Sequence, residues 1–260
     1  MRLKSLKRTT QAKTVQRQAP ADSDGAKALK PIALVPPDTA ANRQLGEVVA
    51  DAIVAAIAQG TLSPGQRVVE QVLAKELAVS RVPIREAIKI LHAQGILTVT
   101  PNRGARVTSF DAQVIDQVDE ARIALEQIAA HHAITVYQRE PRRLDQLHAI
   151  VSRMERVARW SDWAELRVCD LAFHHEMCRA SGNDIVLKLW EALARHIAII
   201  FGREIAAERD FSVVIKQHLK LIEMLESADP DIGLEIERHV RRLRPKVSAR
   251  PTRPSSRRKV

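Results

Sequence analysis

The sequence predicts a mostly α-helical chain in two parts: a small N-terminal module of three short helices and a hairpin, then an all-α antiparallel bundle of about six helices. Three observations predict it. Aromatics are only 3% of the 260 residues, while Ala, Leu, Ile, Val, Arg and Glu abound, which favours helix over sheet. Apolar residues recur at helical spacing over most of residues 41–244, punctuated by Pro, Gly and Asp. Strand-like alternation occurs once, in "ILTVTPNRGARVTSF" (96–110), around a Pro-Asn-Arg-Gly turn. A chain this long buries one large core or two modest ones.

In "ANRQLGEVVADAIVAAIAQG", Leu45, Val49, Ile53 and Ile57 repeat every fourth residue and Gly60 closes the helix. "TLSPGQR" reads as a turn, and residues 69–77 as a short helix anchored by Leu73 and Leu77. In "AVSRVPIREAIKILHAQG", Ser80 suits the N-cap, and Pro83 falls in the first turn, where amide hydrogens have no helical acceptor. Ile84, Ile88 and Leu91 face inward and Gly95 ends the helix. Arg81, Arg85 and Lys89 line a neighbouring face. Taken alone, that basic stripe is as readily a solvated helix face as a DNA-reading one. With the hairpin, three short helices make a winged helix-turn-helix, whose third helix enters the major groove.

Charge is unevenly placed. Of the net +10, residues 1–40 carry +5 and 245–260 carry +6, leaving −1 between them: +3 over 41–109 and −4 over 110–244. Both tails are expected to be disordered and to add nonspecific attraction to a polyanion. No run approaches the length of a membrane span, and the basic N-terminus lacks the apolar core of a secretory signal. Cys169 and Cys178 fall on one helix and form no disulfide framework, so a reduced, cytoplasmic protein is expected.

Residues 111–244 show helical periodicity alone, broken at "REPRR", "RWSDW", "SGND", "AAERDF" and "ADPD". Helices are expected over 111–137, 141–158, 162–180, 184–206, 210–227 and 230–243, packed antiparallel. Polar groups interrupt three apolar stripes. Asp170 and His174 sit among Trp163, Leu166, Phe173 and Met177; His218 lies between Val214 and Leu221; His239 follows Ile236. Each needs a partner, because a buried unpaired carboxylate is costly. Two arrangements meet that need: a hydrogen-bonded core, or a shared divalent transition metal such as Zn²⁺, Ni²⁺ or Mn²⁺. Asp-x-x-x-His puts two ligands on one helix face. Arg122 shares a face with Val118, Leu125 and Ala129, so its guanidinium points to the bundle seam, either to pair with a carboxylate of the chain or to clamp that of a small acid. Asn183 reads as a helix cap first and an effector contact second.

Two stretches resemble known families. Residues 59–107, "QGTLSPGQRVVEQVLAKELAVSRVPIREAIKILHAQGILTVTPNRGARV", resemble the DNA-binding domain of GntR-type bacterial regulators. The resemblance implies base and phosphate contacts from Arg81 and Arg85, and a wing-tip glycine at Gly104 near the minor groove. Ser80, Lys89 and Arg103 complete the expected DNA-facing set. Ala78 stands where the family often has glycine, and Gln71 where some members have a DNA-contacting arginine. "EARIALEQIAA", "DLAFHHEMCRASGN", "QHLKLIEML" and "IERHVRR", in order across 120–242, resemble the FCD effector-binding domain of the FadR subfamily. That resemblance implies metal ligation by Asp170, His174, His218 and His239, and leaves His175 and His196 as surface or supporting groups.

The expected protein is a homodimeric, nucleoid-associated bacterial transcription regulator, a repressor rather than an activator. A small carboxylate metabolite held at the metal, with Arg122 and Asn183, would control its affinity for double-stranded operator DNA. Two other classes fit the sequence less well. A metal-dependent hydrolase would need an open coordination position and a general base, and the stripes offer no obvious spare Glu, since Glu176 faces away. A nonspecific nucleoid-type binder explains the basic tails but not the buried polar cluster. The chain is therefore not expected to be an enzyme.

Overall fold

The computed structural model describes residues 45–205 and 210–242; the tails expected over 1–40 and 245–260 lie outside the described residues. Helix α1 (Leu45–Ala58) packs on α3 (Arg81–Ala93), with the short α2 (Glu70–Glu76) between them in sequence. Ile53, Ile57, Ile84 and Leu91 form the centre of this module, each nearly or fully buried. Leu45 does not join them. It is 53% exposed, because the helix begins there and the core starts a turn later at Val49.

The wing has one more strand than expected. Strands β2 (Leu97–Thr100) and β3 (Gly104–Val107) form the hairpin, and β1 (Arg67–Val68) adds to the far side of β3, giving the antiparallel order β1-β3-β2. Two residues are too short to show alternation, so "TLSPGQR" reads as a turn although its last residue enters the sheet. Ser80 takes the extended N-cap backbone of α3, but its side chain makes no capping hydrogen bond. Ala78 has φ +52°, in the left-handed region where glycine is at ease.

The bundle comprises α4 (Ala112–Arg139), α5 (Leu144–Ala158), α6 (Trp163–Ala180), α7 (Asp184–Ile205), α8 (Phe211–Glu226) and α9 (Ile232–Arg242). The starts of α4, α6 and α8 are capped by Asp111, Asp162 and Asp210, whose carboxylates accept backbone N–H groups at 2.8–3.0 Å. Pro141 opens a single 3₁₀ turn before α5, while Ser161, Gly182 and Ala228 turn the chain with positive φ.

Two apolar cores result, and their division does not follow the sequence halves. One lies wholly in the bundle, around Leu147, Phe173, Leu221 and Ile236. The other runs from the winged module into α7, joining Ile53 and Leu91 to Trp190 and Ile197–Ile200. Helix α7 therefore belongs to both domains. Arg195 on α7 pairs with Asp51 at 3.0 Å and with Glu47 on α1, and Arg203 donates to the Phe110 carbonyl at 3.1 Å.

Candidate metal centre and nucleic-acid interface

Helix α6 presents Asp170 and His174, α8 presents His218 and α9 presents His239, all four completely buried. Their potential ligand atoms lie within 4.8 Å of one another. His174 Nε2 and His239 Nε2 are 3.0 Å apart, and His218 Nε2 is 3.2 Å from Asp170 Oδ1. The four groups that interrupt three separate stripes thus converge on one point.

Hydrogen positions follow from their partners. His218 Nδ1 lies 2.8 Å from the Val214 carbonyl, which can only accept, so Nδ1 carries a hydrogen, and Nε2, 3.2 Å from Asp170 Oδ1, is left either to offer its lone pair to a metal or to carry a second proton toward the carboxylate. His174 Nδ1 lies 2.9 Å from the Glu126 Oε2 carboxylate oxygen, and its Nε2 lies 3.0 Å from His239 Nε2. Both Asp170 oxygens, His218 Nε2 and His239 Nδ1 have no hydrogen-bond partner among the described residues. Acceptors this close repel unless something positive lies between them. A proton satisfies one such pair, whereas a divalent cation satisfies all the donor groups together, so the donor set fits a metal.

The surrounding charge agrees. Burial alone would raise the Asp170 pKa, but the nearby His218, His174 and Arg122 hold it at about 2. Burial also opposes ionisation of Glu126, yet Arg122 and His174 keep it well below the usual carboxylate range. Burial pushes the pKa of His174 and, further still, of His239 below the imidazole value, so both rings favour the neutral form that a metal binds. Among the described residues Arg122 faces two buried carboxylates of this region, Glu126 at 2.7 Å and Asp170 at 3.9 Å.

Of the two roles the sequence left open for Arg122, the structure shows the pairing with a carboxylate of the chain. Its Nε donates to Glu126 at 2.7 Å, while Nη2 has no hydrogen-bond partner among the described residues and lies 3.9 Å from Asp170 Oδ2. Asn183 caps α7 by accepting from Val186 N at 3.1 Å and makes no described contact with the cluster. His175 bonds Glu191 at 2.9 Å and sits edge-on to Trp190; His196 packs near Phe110 at the domain seam. Glu176 is buried rather than outward-facing, but it serves Arg179 at 2.6 Å, away from the cluster.

Sequence reasoning missed two residues. Glu126 is fully buried beside His174 and Arg122, and Trp190 Nε1 donates to its Oε1 at 2.9 Å. The i,i+4 spacing of Arg122 and Glu126 was the available signal for the first. Nothing local marks Trp190, which lies 64 residues further along.

In the winged module, Arg81, Arg85 and Lys89 are exposed on α3. Arg81 and Gly104 line one groove between helix and wing, with Arg67, Gln71 and Val99. Gly104 has φ +78°, and a Cβ there would sit 3.4 Å from the Arg67 guanidinium. Arg85 is held by Glu70 at 3.0 Å and Lys89 by Glu86 at 2.8 Å, so both must exchange these exposed partners to reach a phosphate or base. Arg103 is exposed at the wing tip, and Ser80 is exposed at the helix start.

Comparison with known proteins adds two matches. Residues 45–107 match the model for bacterial regulatory proteins of the gntR family, and residues 117–242 match that for the FCD domain. The chain belongs to the GntR family, with an FCD domain. It is a transcription regulator. The GntR chain is 29% identical over 185 residues to the "Probable D-xylose utilization operon transcriptional repressor" of Paenarthrobacter nicotinovorans, covering 71% of this chain and 80% of that protein. It is 26% identical over 189 residues to the gluconate operon transcriptional repressor of Bacillus licheniformis, covering 69% and 74%. The solved Escherichia coli McbR/YncC shares the fold with TM-score 0.62 at 18% identity, over 77% of this chain and 93% of that one. No helix among the described residues is long and apolar enough to cross a membrane. Both cysteines, Cys169 and Cys178, are buried free thiols.

Proposed function

We propose that this GntR-family protein is a cytoplasmic, homodimeric repressor whose operator affinity is set by a small carboxylate metabolite bound with a divalent transition metal in the FCD bundle. The observation that carries this reading is the convergence of Asp170, His174, His218 and His239 within 4.8 Å in a fully buried position, with both Asp170 oxygens and His218 Nε2 lacking a hydrogen-bond partner among the described residues. The residues fit Zn²⁺, Ni²⁺ or Mn²⁺, and a metal there supplies positive charge that an anionic effector can share. Arg122 Nη2 offers the second anchor for the carboxylate, since Glu126 already occupies Nε. The names of the xylose and gluconate repressors support repression and a sugar or sugar-acid effector class.

The assignment to regulation over hydrolysis rests on what the carboxylates near the cluster do. Glu126, the acid beside it, is engaged by Arg122 and Trp190, and Glu176 by Arg179, so neither stands ready as a general base. Recognition of operator DNA falls to Arg81 and Arg85 from the helix, with Ser80, Lys89, Arg103 and Gly104 supporting them. Two such helices in a dimer would read two half-sites.

Footprinting upstream of the protein's own gene tests the DNA half. The wild type is expected to protect a two-half-site sequence, and Arg85→Ala to weaken it by roughly 1–3 kcal/mol without unfolding the module. Unchanged affinity of Arg85→Ala would remove the recognition-helix assignment.

A further inference from the structure

A cleft of about 430 Å³ opens at the seam between the winged module and the bundle. Ala58 and Gly60 at the end of α1 form one wall, Trp163 and Ala164 at the start of α6 another, and Arg203 closes the side toward α7. Arg167, one turn before Asp170 on α6, also lines it. This arginine is only 9% exposed. Among the described residues nothing accepts a hydrogen bond from it or pairs with it; Glu165, the acid whose field it feels, is engaged by Arg153. The other buried arginine among the described residues, Arg122, is not left so, and neither is the half-buried Arg195: Arg122 has Glu126 and Arg195 has Asp51.

We infer that this cleft is a second small-molecule site, separate from the four-residue cluster, and that it takes an organic carboxylate with an apolar body. A buried cation without a counter-ion is strongly unfavourable, so an unpaired guanidinium facing a cavity is a site for an anion. Burial lowers the Arg167 pKa below its ordinary value, the mark of a cation short of negative charge. Its planar fork matches a carboxylate in bidentate fashion. The side chains of Ala58, Trp163 and Ala164 give the rest of the cleft an apolar wall, and its volume lies in the range of small-ligand sites. Arg203 adds positive charge at the rim while donating Nη1 to the Phe110 carbonyl. A ligand here touches the end of α1, the first helix of the DNA-binding module, and the helix that carries Asp170 and His174, so its binding reaches both domains.

Isothermal titration of the full chain with benzoate, hexanoate and neutral benzamide tests the inference. Benzoate and hexanoate are expected to saturate with Kd of about 1 mM or tighter, and benzamide not to bind. Arg167→Met is expected to weaken both acids about tenfold or more, and Arg167→Lys, which keeps charge but loses the fork, by less. Because the guanidinium is unpaired, Arg167→Met should fold at least as stably as the wild type; if it does not purify folded, Arg167→Lys carries the comparison. A His218→Ala/His239→Ala protein, crippled at the cluster, should bind both acids as the wild type does. The inference is overturned by no saturable binding of either acid to the wild type, by undiminished binding to the Arg167 variants, or by binding lost in the double histidine variant alone.

Discussion

At the residue scale, the least expected participant is Glu126. Its two oxygens serve three neighbours, accepting from Arg122 and Trp190 and lying beside His174 Nδ1. It thereby orients one histidine of the cluster and neutralises the arginine assigned to the effector. Groups in that position typically cost a metal site 10–100-fold in affinity when altered. Glu126→Gln, which keeps the shape and removes the charge, is therefore expected to lower metal affinity by about that factor, measured by competition with a chelator; an unchanged affinity would mean His174 needs no such anchor. A second residue stores strain. Ala78 sits at φ +52° before the recognition helix, where its Cβ crowds the backbone. Ala78→Gly should raise stability to urea by ~0.5–1 kcal/mol, the strain relieved less the entropy glycine loses on folding. A loss of stability would show that the turn tolerates the methyl group freely.

At the scale of elements, α7 connects the two halves of the account. Trp190 near its start donates to Glu126, and Gly202 near its end meets α1, so roughly 18 Å of helix runs between the cluster's surround and the DNA-binding module. The far contact is tight: a Cβ on Gly202 would lie 2.8 Å from Ala58 Cβ and 2.9 Å from its carbonyl oxygen. Gly202→Ala must push α1 away from α7, and is expected to cost ~1–3 kcal/mol of stability and to shift operator affinity together with it. Thermal unfolding and a binding titration on one preparation check this, and no change in either would dismiss the contact as a coupling point. The helices themselves were legible because each long apolar period ends at a physical stop, such as Pro141 or Gly182. Strand β1 was not, since a two-residue strand exists only through its pairing with β3. The cluster was legible because Asp170, His174, His218 and His239 each contradict an otherwise apolar stripe. Glu126 and Trp190 were not, because a carboxylate one position off a stripe and an indole on a distant helix announce nothing until the fold brings them together.

At the scale of the whole molecule, the winged module and α7 share one core while the bundle keeps another. A ligand can change DNA affinity only by binding two arrangements of these parts unequally. The proposed metal would supply positive charge where, among the described residues, Glu126 and Asp170 share the buried Arg122 and the Asp170 oxygens have no hydrogen-bond partner. The most direct test is the metal content of purified protein. By elemental analysis, the wild type prepared without chelator should carry about one divalent transition metal ion per chain, and the His218→Ala/His239→Ala variant, folded by circular dichroism, should carry little. Full occupancy in that variant, or a wild type that retains no metal, would contradict the account.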